Sequence, residues 1–217
     1  MAVRKVSNRG GNVIGHFPSL KMGHMIAFES LIERDFIYLL DFEQDVEQFA
    51  EQPLTIPYQR QEKLLKYTPD FHVIRDGQNI IVECKPEKRV HSPKNQRKFA
   101  AARLWCAIKG WTFLVVTDTQ LRSGYQLQNV KLLTQFARYD IESKVKRDIR
   151  TFLSTASCLT TIADIMVYIA PKQPQKVMIP ILHMVFHHKL VVPLKNAPIS
   201  ADSLVELATE LRTGGCS

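Results

Sequence analysis

Asp70, in the run Tyr67-Thr68-Pro69-Asp70-Phe71, and Glu83 and Lys85, in Ile80-Ile81-Val82-Glu83-Cys84-Lys85, place two hard oxygen ligands and a cation on neighbouring short segments. Carboxylates so placed outline a divalent-metal site. The geometry follows from the turn between them. Phe71 to Arg75 and Asn79 to Lys85 are β-branched and apolar runs separated by Asp76-Gly77, the dipeptide that two-residue type I′ hairpins prefer. With Arg75 opposite Gln78, counting outward sets Asp70 opposite Glu83, and Lys85 shares their face two residues on. A four-residue loop keeps that arrangement, whereas a three-residue loop sends Asp70 to the other face. Phe71, Val73, Ile80, Val82 and Cys84 then form an apolar face suited to a core, while Ile74 and Ile81 accompany the charges. The same three residues are also open to a plainer reading, a cross-strand salt bridge.

Several elements must position this group. Phe28, Leu31, Ile32, Phe36, Leu39 and Leu40 recur at helical spacing, so a helix is expected from His24 to about Leu40. At about 100° per residue, Glu29 falls inside its apolar arc. A buried carboxylate there needs compensation, for which a metal is one candidate; read alone, Glu29 is equally a partly exposed helix residue or the partner of an arginine. Val46 to Tyr58 and Lys63 to Tyr67 read as strand or loop punctuated by Pro53 and Pro57. Pro93 to Lys109 reads as a helix with Pro93 near its start and Gly110 at its end. Trp111 to Thr117 is an apolar strand, and Leu127 to Arg138 an amphipathic helix. This order predicts an α/β domain over residues 1–142, with helices around a mixed sheet of four or five strands. Met1 to Gly23, basic and rich in Gly, Asn and Ser, reads as a flexible arm. In residues 143–217, helical patterns at Lys144 to Leu153, Thr160 to Tyr168 and Gln175 to His188 precede a strand at Lys189 to Leu194, the order of a winged helix.

Composition narrows the partners. The 217 residues are 45% hydrophobic and carry a formal charge of +8, enough to bury a core and to favour a polyanion, whether nucleic acid or a membrane surface. No run reaches the ~18 to 20 apolar residues of a membrane span, and the N-terminus lacks a signal-peptide core, so an intracellular protein with no membrane partner is expected. The four cysteines form no CxxC pair, which points away from a disulfide framework or a zinc ribbon. Lys85, Lys88, Arg89, Lys94, Arg97 and Lys98 face only Glu87 among acids over the same stretch. That run is either a solvated face or the path of a DNA backbone, with Gln96 and Lys98 nearest the phosphate. Lys144, Lys146, Arg147 and Arg150 form a second basic group, equally readable as an exposed helix end. His72 is placed on the charged face as a supporting or solvated group, and Trp105 and Trp111 in the core.

The TPDF and VECK elements with an upstream glutamate resemble the PD-(D/E)xK nuclease superfamily. Together with Phe28-Glu29-Ser30-Leu31, Glu33-Arg34-Asp35-Phe36 and Val82-Glu83-Cys84-Lys85-Pro86, the match narrows. Over about residues 1–142 the chain resembles the TnsA endonuclease subunit of Tn-seven-like heteromeric transposases. The resemblance implies a restriction-endonuclease-like mixed sheet flanked by helices, followed by a small winged-helix-like domain that binds partners. It also implies catalytic roles for Glu29, Asp70, Glu83 and Lys85. One or two Mg²⁺ ions, replaceable by Mn²⁺, would be held by Glu29, Asp70, Glu83 and the backbone carbonyl of Cys84. Lys85 would orient or deprotonate the attacking water, or stabilise phosphate charge. Lys88, Arg89, Lys94, Gln96, Arg97 and Lys98 would meet DNA. The implied activity is cleavage of the 5′ strands at transposon ends, in double-stranded DNA, alongside a TnsB-like transposase and a TnsC-like AAA+ regulator. The expected setting is the bacterial cytoplasm, at the nucleoid during activity. A restriction-type or repair nuclease of the same fold, and a non-catalytic DNA-binding scaffold, are the alternatives.

Overall fold

The protein is described from a computed structural model covering residues 13–60 and 62–208. The first twelve residues of the expected arm lie outside the described residues. The chain forms two compact units that divide between Ser123 and Gly124.

The first unit opens with an antiparallel hairpin of β1 (Gly15–Pro18) and β2 (Met25–Phe28), so the expected flexible arm is ordered from Gly15 onward. The expected helix from His24 is also corrected here. Helix α1 is Leu31–Phe42, and Ser30 caps it in extended backbone, its hydroxyl accepting from the Glu33 N–H. Ser30-Leu31-Ile32-Glu33 has the Ser-x-x-Glu pattern that starts helices, and this local stop outranks the apolar spacing that ran through Phe28. Glu29 therefore stands one residue before the cap, outside the helical arc.

Next come β3 (Val46–Glu51), β4 (Ile56–Arg60), β5 (Lys63–Tyr67), β6 (Phe71–Arg75) and β7 (Gln78–Lys85). They are followed by α2 (Glu87–Val90), α3 (Pro93–Lys109), β8 (Thr112–Thr117) and α4 (Asp118–Leu121). The central sheet runs β3-β6-β7-β8, antiparallel except for the parallel β7 and β8, and β4 with β5 makes a separate hairpin. This is the mixed sheet flanked by helices that the sequence predicts. Asp76 and Gly77 both take positive φ, 47° and 71°, and Arg75 pairs with Gln78, which is the type I′ turn and register counted from the sequence.

Phe71, Val73, Val82 and Cys84 are buried on one sheet face, where the Phe71 ring meets Phe36 of α1 edge-on at 5.7 Å. Against the other face lie α3 and the β4–β5 hairpin, with Ile56, Tyr67 and Ala102 packed beside Trp105 and Phe113. Pro93 opens α3, and Gly110, at φ +67°, closes it by donating to the carbonyls of Cys106 and Ala107.

The second unit comprises α5 (Gln126–Phe136), α6 (Ser143–Thr155), α7 (Ile162–Ile169), a 3-10 turn (Pro174–Val177), α8 (Met178–Phe186), β9 (Leu190–Val191) and β10 (Glu206–Leu207). Because α5 packs on α8, it belongs with this unit, and the division falls before α5 rather than after residue 142. The strand expected over Lys189 to Leu194 shrinks to two residues paired with β10, with Pro193 unable to extend the ladder. The intervening loop is fastened by Asn129, which is 1% exposed. Its amide donates to the carbonyls of Leu194 and Ala197, both at 2.8 Å, and its oxygen accepts from Ile199 N–H at 2.9 Å. In α8, Ile181 to Phe186 are all buried. No described helix is long and apolar enough to cross a membrane.

Candidate active site

The β6–β7 ladder ends at the Phe71–Val82 pair, one step short of Asp70. There the Asp70 side chain takes over the next rung, Oδ2 accepting from the Cys84 N–H at 2.7 Å. A strand residue turns its N–H and C=O to the same edge, so the Cys84 carbonyl also points toward Asp70. From the other side, Gln52, in a left-handed conformation at φ 44°, donates its N–H to the Asp70 carbonyl at 2.8 Å. Its side-chain amide reaches Glu29 Oε1 at 3.0 Å, so one residue ties Glu29 to Asp70.

Glu83 is 1% exposed, and both of its oxygens are engaged. Oε2 accepts from the Tyr67 hydroxyl at 2.5 Å, and Oε1 pairs with Lys85 Nζ at 2.5 Å. Lys85 Nζ lies 3.9 Å from Asp70 Oδ2. Lys98, from α3, sets its ammonium 5.1 Å from the centre of the Tyr67 ring. Glu33 closes the group from α1, accepting from Glu29 N–H at 2.7 Å and from the Ser30 hydroxyl at 2.8 Å. Glu29, Glu33, Asp70, Glu83, Lys85 and Lys98 border one cleft of about 530 Å³, and Arg89 and Lys94 extend its rim.

Burial and the nearby charge of Glu83 push the Asp70 carboxyl well above the usual carboxylate range, against the pull of Lys85. Burial raises Glu33 too, opposed by the hydrogen bonds from Glu29 and Ser30. For Lys85, burial disfavours the charge, but Asp70 and Glu83 outweigh it and the ammonium is held more firmly than usual. Burial and Glu83 together keep Tyr67 protonated, fixing it as a donor. Burial lowers Lys98 despite the attraction of Glu83.

This donor set fits a hard divalent cation. Crowded carboxylates that resist ionisation are what a dication relieves, and Mg²⁺ needs only one or two of them because it keeps several waters. Asp70 Oδ1 has no hydrogen-bond partner among the described residues. Glu83 meets the same cleft with Oε1 carrying the Lys85 ammonium and Oε2 the Tyr67 hydroxyl. Among the described residues no group of three or more acidic, His or Cys side chains stands arranged to hold a metal ion.

The other expected residues divide. Arg89, Lys94 and Lys98 border the cleft, and Lys88 is exposed on α2 beside it. Gln96 instead spends its amide on the Val90 carbonyl at 2.9 Å, holding α2 to α3, and Arg97 lies on a different groove with Tyr58 and Leu104. His72 does not approach the carboxylates. It donates to Asn79 Oδ1 at 2.8 Å and stacks on Trp111 at 4.8 Å, so Trp111 is a partly exposed platform rather than core. Tyr67, Glu33 and Gln52 enter the site without having been singled out. The capping pattern at Ser30 could have flagged Glu33, whereas nothing local in the sequence announces Gln52 or the Tyr67 hydroxyl.

Residues 43–118 match a family model described as TnsA-like endonuclease N terminal. The matched span runs from just before β3 through β8 and includes Asp70, Glu83, Lys85 and the α2–α3 cations, but neither Glu29 nor Glu33. No match to a curated protein was found.

Proposed function

We propose, for a chain whose residues 43–118 match the TnsA-like endonuclease N-terminal model, that it is the nuclease subunit of a Tn-seven-like transposase and cuts the 5′ strands at transposon ends by metal-dependent hydrolysis. The observation that carries this reading is the convergence of Asp70, Glu83 and Lys85 at the end of β7, in a cleft rimmed by cations.

Asp70, Glu83, the Cys84 carbonyl and Glu29 are the groups that would hold Mg²⁺, or Mn²⁺ in its place. The bound metal supplies a more acidic water and neutralises charge on the scissile phosphate. Lys85, firmly charged, donates to a non-bridging phosphate oxygen or to the attacking water as Glu83 turns away from it. Tyr67 keeps the freed carboxylate in place through its hydroxyl. Arg89, Lys94 and Lys98 offset the charge of phosphates flanking the scissile one, and Lys88 extends that path.

The second unit is proposed to dock a TnsB-like transposase and a TnsC-like AAA+ regulator. Its order of α6, a β-bridge at Thr161, α7, α8, β9 and β10 is that of a winged helix, which supports the reading. The helix in the base-reading position, α8, buries Ile181 to Phe186 and otherwise presents only Met178, Ile179 and Pro180, so end recognition is assigned to the partners. The protein would work in the bacterial cytoplasm, at the nucleoid.

The test is cleavage of labelled transposon-end duplex in the presence of the partner transposase. Asp70→Ala should abolish 5′-strand cutting and spare 3′ processing. Unchanged 5′ cutting would overturn the catalytic assignment.

A further inference from the structure

The C-terminal unit carries a second concentration of positive charge that cleavage does not use. Lys146 and Arg150 stand one turn apart on α6 and so share a face. Lys189 arrives from another element. It follows His188, which turns the chain out of α8 at φ 51°, and its N–H donates to the Met184 carbonyl at 2.8 Å. With His183, Met184 and His187 these cations border a hollow of about 290 Å³. His183 Nδ1 lies 3.2 Å from the Phe136 carbonyl, and His187 Nε2 lies 2.8 Å from that of Ala137. A carbonyl only accepts, so both rings donate there. Among the described residues none of the three cations has a carboxylate within ion-pair distance; the neighbouring pair on α6 is Arg147 with Asp148, at 3.9 Å.

We propose that Lys146, Arg150 and Lys189 form a backbone-phosphate site through which the C-terminal unit grips duplex DNA without reading its sequence. Three cations converging from two elements, with no carboxylate partner among the described residues, favour a phosphodiester. Ile181 to Phe186 of α8 are buried, and the half-buried Met178, Ile179 and Pro180 carry no side-chain hydrogen-bond donor, so the grip is on the backbone alone. The site rests on the reading that this chain acts on DNA, but it shares no residue with the cleavage cleft.

The experiment measures binding of the full chain to duplex DNA of arbitrary sequence by fluorescence anisotropy across a salt series. It uses an Asp70→Ala background, so that cleavage plays no part and failure here leaves the nuclease reading intact. Lys146→Gln, Arg150→Gln and Lys189→Gln are combined, with stems retained so that the fold is kept. Affinity should fall at least about tenfold at moderate salt, and the slope of log K against log salt should flatten by about 1 to 3, near 0.9 for each phosphate the protein no longer neutralises. Lys144→Gln with Arg147→Gln, on the same helix outside the hollow, should change the slope by much less. An unchanged slope in the triple variant overturns the site. So does an equal drop in the Lys144 and Arg147 variant, which would mean a diffuse basic surface. Thermal unfolding of each variant, unchanged from the parent, accompanies the binding curves; Lys146→Arg with Lys189→Arg should restore binding.

Discussion

Lys85 Nζ sits 2.5 Å from Glu83 Oε1 and 3.9 Å from Asp70 Oδ2, so a single ammonium balances two carboxylates at the end of β7. The cost of this crowding falls on Asp70, whose folded-state pKa is raised, chiefly by burial and Glu83. A carboxyl so raised binds protons more readily folded than unfolded, so it destabilises the fold as pH rises through and beyond its unfolded value. Asp70→Asn keeps an acceptor for the Cys84 N–H while removing the charge. It should raise the melting temperature of the metal-free protein at neutral pH, abolish cleavage, and erase the stabilisation that added Mg²⁺ is expected to give the parent. Calorimetry with chelator and with Mg²⁺ checks all but the cleavage. A melting temperature in Asp70→Asn that still rises with Mg²⁺ as in the parent would place the ion elsewhere.

Tyr67 gives a second measurable handle. Its hydroxyl is the donor for Glu83 Oε2 in a buried setting, and Tyr67→Phe leaves that oxygen without a partner while filling the same space. An unsatisfied buried acceptor costs about 1–3 kcal/mol, more where it is charged. Denaturant unfolding should show a loss of that size, and single-turnover cleavage should slow without vanishing, because the ligand remains but is free to turn. Equal stability of the two proteins would mean that Glu83 finds another donor.

How far the site is legible in the sequence depends on whether its interactions are local. The Asp76-Gly77 turn and the period-two alternation are properties of consecutive residues, so the register that brings Asp70 beside Cys84 and Glu83 follows from counting. Glu29 comes near the site for a different reason than its spacing suggests. The apolar period from Phe28 to Leu40 suits a helix, yet Phe28 ends a strand and Ser30 begins the helix. The Tyr67–Glu83 bond joins β5 to β7 and exists only because the β4–β5 hairpin folds over that sheet face. Likewise α5 joins the second unit through packing on α8, which no pattern within α5 reveals.

Glu29 and Glu33 can be separated by substitution. Glu33 spends both oxygens on the Glu29 N–H and the Ser30 hydroxyl, which is a helix-start role, whereas Glu29 approaches Asp70 through Gln52. Glu33→Ala should cost about 0.5–2 kcal/mol of stability, the range for a lost cap, with cleavage reduced in proportion to misfolding. Glu29→Gln should preserve stability and depress cleavage by at least about tenfold, in line with the loss of a metal ligand rather than a structural bond. Thermal melts and cleavage rates on the same preparations decide it. A stable Glu33→Gln variant with no activity, beside an active Glu29→Gln, would exchange the two roles.

In the second unit, His183 supplies a dependence on acid. Burial lowers its pKa, with His187 and Lys146 adding to the effect and the Phe136 carbonyl opposing it. Because the unfolded chain then binds the proton more readily, this contribution to stability is fully present above the unfolded value of about 6.5 and is lost as pH falls through it toward the lower folded value. Taking the protein from about pH 7.5 to about pH 5 should therefore weaken the second unit by more than salt or buffer changes do. Amide exchange of Leu133 and Val185, on the α5 and α8 that pack together, should accelerate over that window, since both side chains are buried. In His183→Gln, whose side-chain amide can still donate to Phe136, the acceleration should shrink. Exchange that speeds up equally in the variant would mean that other groups set the acid response of this unit.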